Sequence, residues 1–173
     1  MELTVRQFKK EDLEEMTAIW NQVVEEANAF PQEDFFSLKE AEDLFAGQSY
    51  TGVAESDGKI LGLYILHPNN VGRCGHLSNA SYAVSKDARG RHIGEQLVLD
   101  CMERARELGY KVLQFNAVVA SNQGALRLYD RLGFQRLGTV PGGYRLSDGR
   151  YEDIILFYIT PVSYTHLRAH ETV

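Results

Sequence analysis

The stretch Tyr82-Ala-Val-Ser-Lys-Asp-Ala-Arg-Gly-Arg-His-Ile-Gly-Glu-Gln-Leu-Val-Leu99 constrains this chain more than any other. A strand-like segment ends there in a short basic, glycine-bearing loop, after which Ile93, Leu97, Val98, Cys101, Ala105 and Leu108 recur at helical spacing. The first backbone N–H groups of a helix lack intrahelical partners and sit at the positive end of its dipole, so residues Arg89 to Gly94 can wrap an oligophosphate. Lys86, Arg89 and Arg91 add formal positive charge there, although the whole chain carries a net charge of −6. The plainer reading of the same residues is a solvated basic turn in front of a surface helix.

A second motif, Asn122-Gln-Gly-Ala-Leu-Arg-Leu-Tyr-Asp-Arg-Leu-Gly-Phe134, follows further along the chain. Ser121 or Asn122 can cap a helix whose Ala125, Leu128, Tyr129 and Leu132 form one apolar face, and Gly133 closes it before a strand from Phe134 to Val140. By itself this describes a helix packed on a sheet with Tyr129 as a core aromatic.

Together the two motifs resemble the GNAT superfamily of acyl-CoA N-acyltransferases over nearly the whole chain, from Leu3 to about Ile159. The loop Arg89-Gly-Arg-His-Ile-Gly94 is similar to the family's Arg/Gln-x-x-Gly-x-Gly/Ala signature, with His92 in the place of the middle glycine. Either the backbone there avoids positive φ, or the histidine tolerates it, which His does better than most residues. The second motif matches Asn-x-x-Ala-x-x-Leu-Tyr-x-x-Leu-Gly-Phe at every defined position. The resemblance implies acetyl-CoA as cosubstrate, with its pyrophosphate on Arg89, Gly90, Arg91, His92, Ile93 and Gly94. It implies that the backbone of Tyr82, Ala83 and Val84 polarises the thioester, that Asn122 contacts the pantetheine arm, and that Tyr129 is general acid to the departing thiolate.

Length and pattern fit one globular domain over residues 1–161 of the 173. No signal peptide or long apolar run is visible, and the expected compartment is the cytoplasm. Cys74 and Cys101 read as reduced thiols, and Cys74-Gly-His76 lacks a second ligand pair at zinc spacing, so no metal is expected. The acidic balance argues against nucleic acid as a partner; a homodimer is left open. The run Val162–Thr172 reads as the in-frame translation of a transposase adapter used in sequencing libraries and is set aside as non-native.

Leu3, Val5 and Phe8 suggest a first strand, and Leu13, Met16, Ile19, Trp20, Val23, Val24 and Ala27 one face of a helix. Ser37-Leu-Lys-Glu40 is a capping box opening a second helix that stops at Gly47. Strands at about 50–55 and 60–66 meet at the turn Ser56-Asp-Gly58, and further strands fall near 76–84, 112–119, 134–140 and 151–159. The order β-α-α-β-β-β-α-β-α-β-β is that of an α/β protein of the GNAT fold: a mixed, mostly antiparallel sheet with splayed central strands, flanked by helices. The splay is what the resemblance implies.

Substrate and base are less constrained. Where many family members carry a carboxylate, this chain reads Asn79-Ala-Ser81, so water on Asn79 or Asn116, or His76, is left to take the amine proton. The segment Asn69 to Tyr82, with Phe115-Asn116 and Val140-Pro-Gly-Gly143, resembles the proline-analogue (azetidine-2-carboxylate) acetyltransferase group, and Ile19-Trp-Asn-Gln22 the phosphinothricin type. The resemblance puts Asn79, Tyr82 and Asn116 around a small amino acid; Arg73 can pair with its carboxylate or pin its own loop. The expected activity is direct acetyl transfer in a ternary complex to a small amino-acid-like amine. A peptide amino terminus as acceptor, and a non-catalytic acyl-CoA sensor, are the alternatives.

Overall fold

The computed structural model describes residues 2–161, so the adapter-like run lies outside the described residues. Its strands are β1 (Thr4–Gln7), β2 (Tyr50–Ser56), β3 (Lys59–Pro68), β4 (Leu77–Val84), β5 (Val112–Val119), β6 (Gln135–Arg145) and β7 (Tyr151–Ile159). The helices are α1 (Leu13–Glu26), α2 (Leu38–Ala46), α3 (Ile93–Glu107) and α4 (Gln123–Arg131). They follow one another in the expected order. One sheet, β1-β2-β3-β4-β5-β7-β6, holds all seven strands, and every pair is antiparallel except β4 with β5.

Local rules account for most boundaries. Asp57 and Gly58 both take positive φ (52° and 75°), the geometry a two-residue hairpin needs between β2 and β3. Ser37 accepts from the Glu40 N–H while Glu40 accepts from the Ser37 N–H, closing the expected capping box on α2. The apolar run of β3 is buried on both faces, with alternate residues feeding two cores. Ile60, Leu63 and Ile65 pack with α1 and α2, whereas Leu61, Tyr64 and Leu66 pack with α3. The sheet is thereby sandwiched between helix layers.

Three expectations shift. Leu108, read as part of the α3 apolar face, caps that helix and is exposed. On α4 the core face is Leu126, Tyr129 and Leu132, while Ala125 and Leu128 are only partly buried. The last hairpin is longer than its pattern suggests, because β6 runs through Pro141-Gly-Gly143 to Arg145 by slipping register between Val140 and Tyr144.

His92 resolves the glycine substitution in the loop before α3: it sits at φ 62°, ψ 21°, in the left-handed region. A side chain with a Cβ is strained there, by about 1–2 kcal/mol, and a β-branched one more. His92→Gly should therefore melt at or above the parent, and His92→Val about 2–4 °C below it, as followed by circular dichroism. A valine variant melting with the parent would contradict the left-handed assignment.

Candidate active site

β4 and β5 pair at only three positions, Leu77 with Val112, Ser78 with Leu113 and Asn79 with Gln114. Beyond Asn79, β4 continues to Val84 on β3 alone and β5 continues to Val119 on β7 alone. The β5 ladder on β7 also slips between Phe115 and Val118, a bulge that places Asn116 and Ala117 out of register and bends the strand. Two cavities open where the strands part.

The larger, about 480 Å³, is lined by Arg89, Gly90, Ile93 and Gly94 at the start of α3 and by Ser121 to Ala125 at the start of α4. Two helix N-termini thus converge on one cleft, which favours an anion. No side chain caps α3, so its first N–H groups face the cleft without a protein side-chain acceptor. On α4, Asn122 Oδ1 accepts from the Ala125 N–H at 3.3 Å, which makes Asn122 the cap. Ala125 and Leu128 leave the core because they line this cleft. Arg91 and His92 are exposed and do not line it.

Arg89 lines the cleft and is paired within the protein. Its guanidinium donates to both oxygens of Glu26, at 2.6 and 2.5 Å, and to the Val84 carbonyl at 3.2 Å. Those hydrogen bonds hold the Glu26 carboxyl below its usual range against the cost of burial. Gln22, one turn earlier, accepts from the Lys86 N–H at 2.8 Å. The end of α1 therefore braces the loop. Glu26 itself lines the cleft. Its partner lies 63 residues away, so nothing local in the sequence marks the pair.

The smaller cavity is a cup of about 170 Å³ on the other side of the parting, lined by Asn79, Ser81, Asn116, Phe115, Ala29, Phe30 and Pro31 among others. Tyr82, Asn122, Ala125 and Tyr129 line both spaces, so the two meet at these residues. Tyr129 is buried in an aromatic box, its ring centroid 4.6 Å from Phe115 and 5.4 Å from both Phe134 and Phe157. Burial, then the Cys101 thiol, push its phenol above the ordinary value, so it stays protonated. The Tyr82 hydroxyl is buried beside the Cys101 thiol, and burial together with Cys101 and Tyr129 raises it as well. Ala83 is buried in the α1-side core and offers the site its backbone alone.

Asn79 and Asn116 come together in the cup as expected. Asn79 Oδ1 accepts from the Ala80 N–H at 2.7 Å, leaving its amide N–H groups to offer. Asn116 is already engaged: its Nδ2 donates to Asn69 Oδ1 at 2.7 Å and its Oδ1 accepts from Gln114 Nε2 at 3.1 Å. Asn69 and Gln114 hold that side chain in place, a role the sequence did not mark. Arg73 lies on the exposed 3₁₀ turn Gly72–Cys74 and lines neither cavity, so the expected carboxylate contact is not formed there. His76 is exposed ahead of β4, and its carbonyl accepts from Lys111 and Val112 at the paired end of the strands. It stands six residues, about 20 Å of extended chain, from Tyr82 and is no base for this site. Among the described residues no cluster could hold a metal ion, and no helix is long and apolar enough to cross a membrane.

The acetyltransferase (GNAT) family model matches residues 10–134, and the chain belongs to that family. It is 30% identical over 155 residues to the N-acetyltransferase aca1 of Schizosaccharomyces pombe, covering 80% of this chain and 74% of that protein. It is 31% identical over 149 residues to the L-methionine sulfoximine/L-methionine sulfone acetyltransferase of Pseudomonas aeruginosa, covering 82% and 85%. A phosphinothricin acetyltransferase from Sinorhizobium meliloti, solved in complex with AcCoA, superposes with a TM-score of 0.85 at 22% identity over 95% of this chain and 92% of that one. The chain is thus a GNAT N-acetyltransferase with the family's α/β fold.

The Arg89 pairing changes what its loss should do. Removing Arg89 unmasks Glu26 beside a polyanion, so Arg89→Ala should weaken acetyl-CoA about tenfold in calorimetry. Glu26→Gln in the same chain should recover part of that loss. A double variant as weak as Arg89→Ala alone would mean that Arg89 acts by direct phosphate contact.

Proposed function

We propose that this protein transfers the acetyl group of acetyl-CoA to the amine of a small amino-acid-like acceptor by direct attack in a ternary complex. The observation that carries the reading is the meeting of an anion-favouring cleft and a small cup at Tyr82 and Tyr129, where β4 and β5 have parted. The cleft suits the pyrophosphate and pantetheine arm, and the unpaired edge of β4 from Tyr82 to Val84 supplies backbone donors for the thioester carbonyl. The amine attacks that carbonyl, the C–N bond forms, and the C–S bond breaks. Tyr129 gives its proton to the thiolate, and the amine proton leaves with water.

The acceptor reading draws on the size of the cup and on its relatives. A space of about 170 Å³ bounded by Phe30 and Pro31 matches a free amino acid in size better than a peptide. The Pseudomonas relative is named for methionine sulfoximine and methionine sulfone, which are small amino acids. Asn79 and Ser81 are the polar groups available to grip such a molecule, with Asn116 held beside them.

None of the described residues lining the cup is a carboxylate or an imidazole. The reactive form is then the amine already neutral in solution, and kcat/KM rises with pH up to the amine's own pKa. Tyr129, raised above its ordinary value, adds no falling limb below about pH 10. A free-thiol screen over amino acids should find a small acceptor, with an inflection that moves as amines of different basicity are compared. One shared inflection for all amines would instead reveal a base on the protein. Asn79→Ala and Asn116→Ala should each raise the acceptor KM about fivefold while sparing acetyl-CoA. Defects confined to acetyl-CoA affinity would remove both residues from the acceptor site.

A further inference from the structure

β6 is exposed along ten of its eleven residues, and the exception is Tyr144. The strand is built to turn that residue inward. Register on β7 slips between Val140 and Tyr144, Gly142 takes φ 62°, and its N–H donates to Asp153 Oδ1 at 3.0 Å. A Cβ on Gly143 would lie 2.6 Å from Ile154 Cγ1, so only glycine lets β6 pass this close. After this bulge the Tyr144 hydroxyl reaches across 114 residues of sequence and donates to the Phe30 carbonyl at 2.6 Å, in a buried hydrogen bond.

Phe30 stands at a boundary. Its ring lies 4.5 Å from that of the fully buried Trp20, and with Pro31 it lines both the acceptor cup and a third cavity. That outer space, about 490 Å³, opens between the segment after α1 and the β6–β7 hairpin, and Tyr144 lines its far side. Phe30 and Pro31 are thus the partition between a small cup and a much larger space. The partition belongs to an irregular segment tied to the hairpin by the Tyr144 hydroxyl, which donates to the Phe30 carbonyl and also meets the backbone of Ala29, and by the ion pair of Glu33 with Arg145. Glu33 and Arg145 are both well exposed, so the buried Tyr144 bond is the stronger tie.

We propose that Tyr144 determines acceptor size. By holding the Phe30 carbonyl it keeps the partition closed and limits the acceptor to a small amino acid; without its hydroxyl the cup joins the outer cavity and larger amines enter. Tyr144 touches no reacting atom and acts through Phe30, so it is a positioning residue. The inference rests on the small-acceptor reading given above.

Tyr144→Phe keeps the ring and removes the donor, leaving the buried Phe30 carbonyl unpaired. Kinetics would be measured for a proline-sized amino acid, for phenylalanine and for alanyl-alanine, beside the KM for acetyl-CoA. The small acceptor should lose kcat/KM through KM, the two larger ones should gain, and their ratio should shift about tenfold. The KM for acetyl-CoA should stay within about twofold, since the hydrogen bond lies outside the cofactor cleft. An unchanged ratio, whether all acceptors fall together or none changes, overturns the proposal. Should Tyr144→Phe fail to fold, Pro31→Ala trims the same partition without touching the hydrogen bond and must shift the ratio in the same direction. A parent that already prefers the dipeptide would overturn the small-acceptor reading itself, whereas a parent selective for the small acceptor with an unresponsive ratio overturns only the role of Tyr144.

Discussion

The parting of β4 from β5 is the constraint on which the site depends. Backbone N–H and C=O groups inside a protein are almost always paired, so a parallel pair that stops after three positions leaves donors and acceptors for something else to satisfy. The bulge at Asn116-Ala117 makes the parting possible by bending β5 while it stays bonded to β7. The cofactor cleft and the acceptor cup are the two sides of this one opening, and Tyr82 and Tyr129 stand where they meet. Helices α3 and α4 both begin beside it, which turns a gap in the sheet into a place for an anion.

Around the opening the protein spends long-range contacts on holding loops. Arg89 and Gln22 join the phosphate loop to α1, through Glu26 and through the Lys86 N–H. Tyr144 joins the segment after α1 to the final hairpin. Ala27, the first residue of that segment, takes φ 54°, a left-handed conformation that a non-glycine residue accepts only where its surroundings enforce it. From there Asn28 and Ala29 run along the cofactor cleft, and Ala29 to Pro31 along the cup. One short stretch of chain therefore faces both cavities, braced at each end by a different element.

How much of this was legible in the sequence depends on whether the signal was local. The strand-loop-helix at Tyr82–Leu99 and the helix at Asn122–Phe134 carry their meaning within single elements, and the element order with its mixed, mostly antiparallel sheet was legible from them together with the strand patterns and the family resemblance. The α4 face was misjudged because the helix serves two environments: Leu126 and Leu132 reach the core while Ala125 and Leu128 turn to the cleft. Pro141-Gly-Gly143 has the composition of a turn, yet it is the bulge that carries β6 onward to Tyr144. Arg89 was matched to phosphate by the signature of its loop, and only the folded chain brings Glu26 to it. Arg73 sits outside both cavities, and nothing near it in sequence said where its turn would sit.

The central claim is that the thioester lies across the parted strands with Tyr129 donating to its sulfur, and one comparison tests it most directly. Tyr129→Phe keeps the buried ring and removes the proton, and general-acid help of this kind is typically worth about a hundredfold or more. The variant's kcat should fall by about that factor with acetyl-CoA, and the deficit should shrink with an acetyl thioester whose thiol is more acidic, because that thiolate needs less protonation. Acetyl-CoA affinity and melting temperature should change far less. A variant as active as the parent, or one whose deficit is the same for both thioesters, would contradict the account and return Tyr129 to the role of a core aromatic.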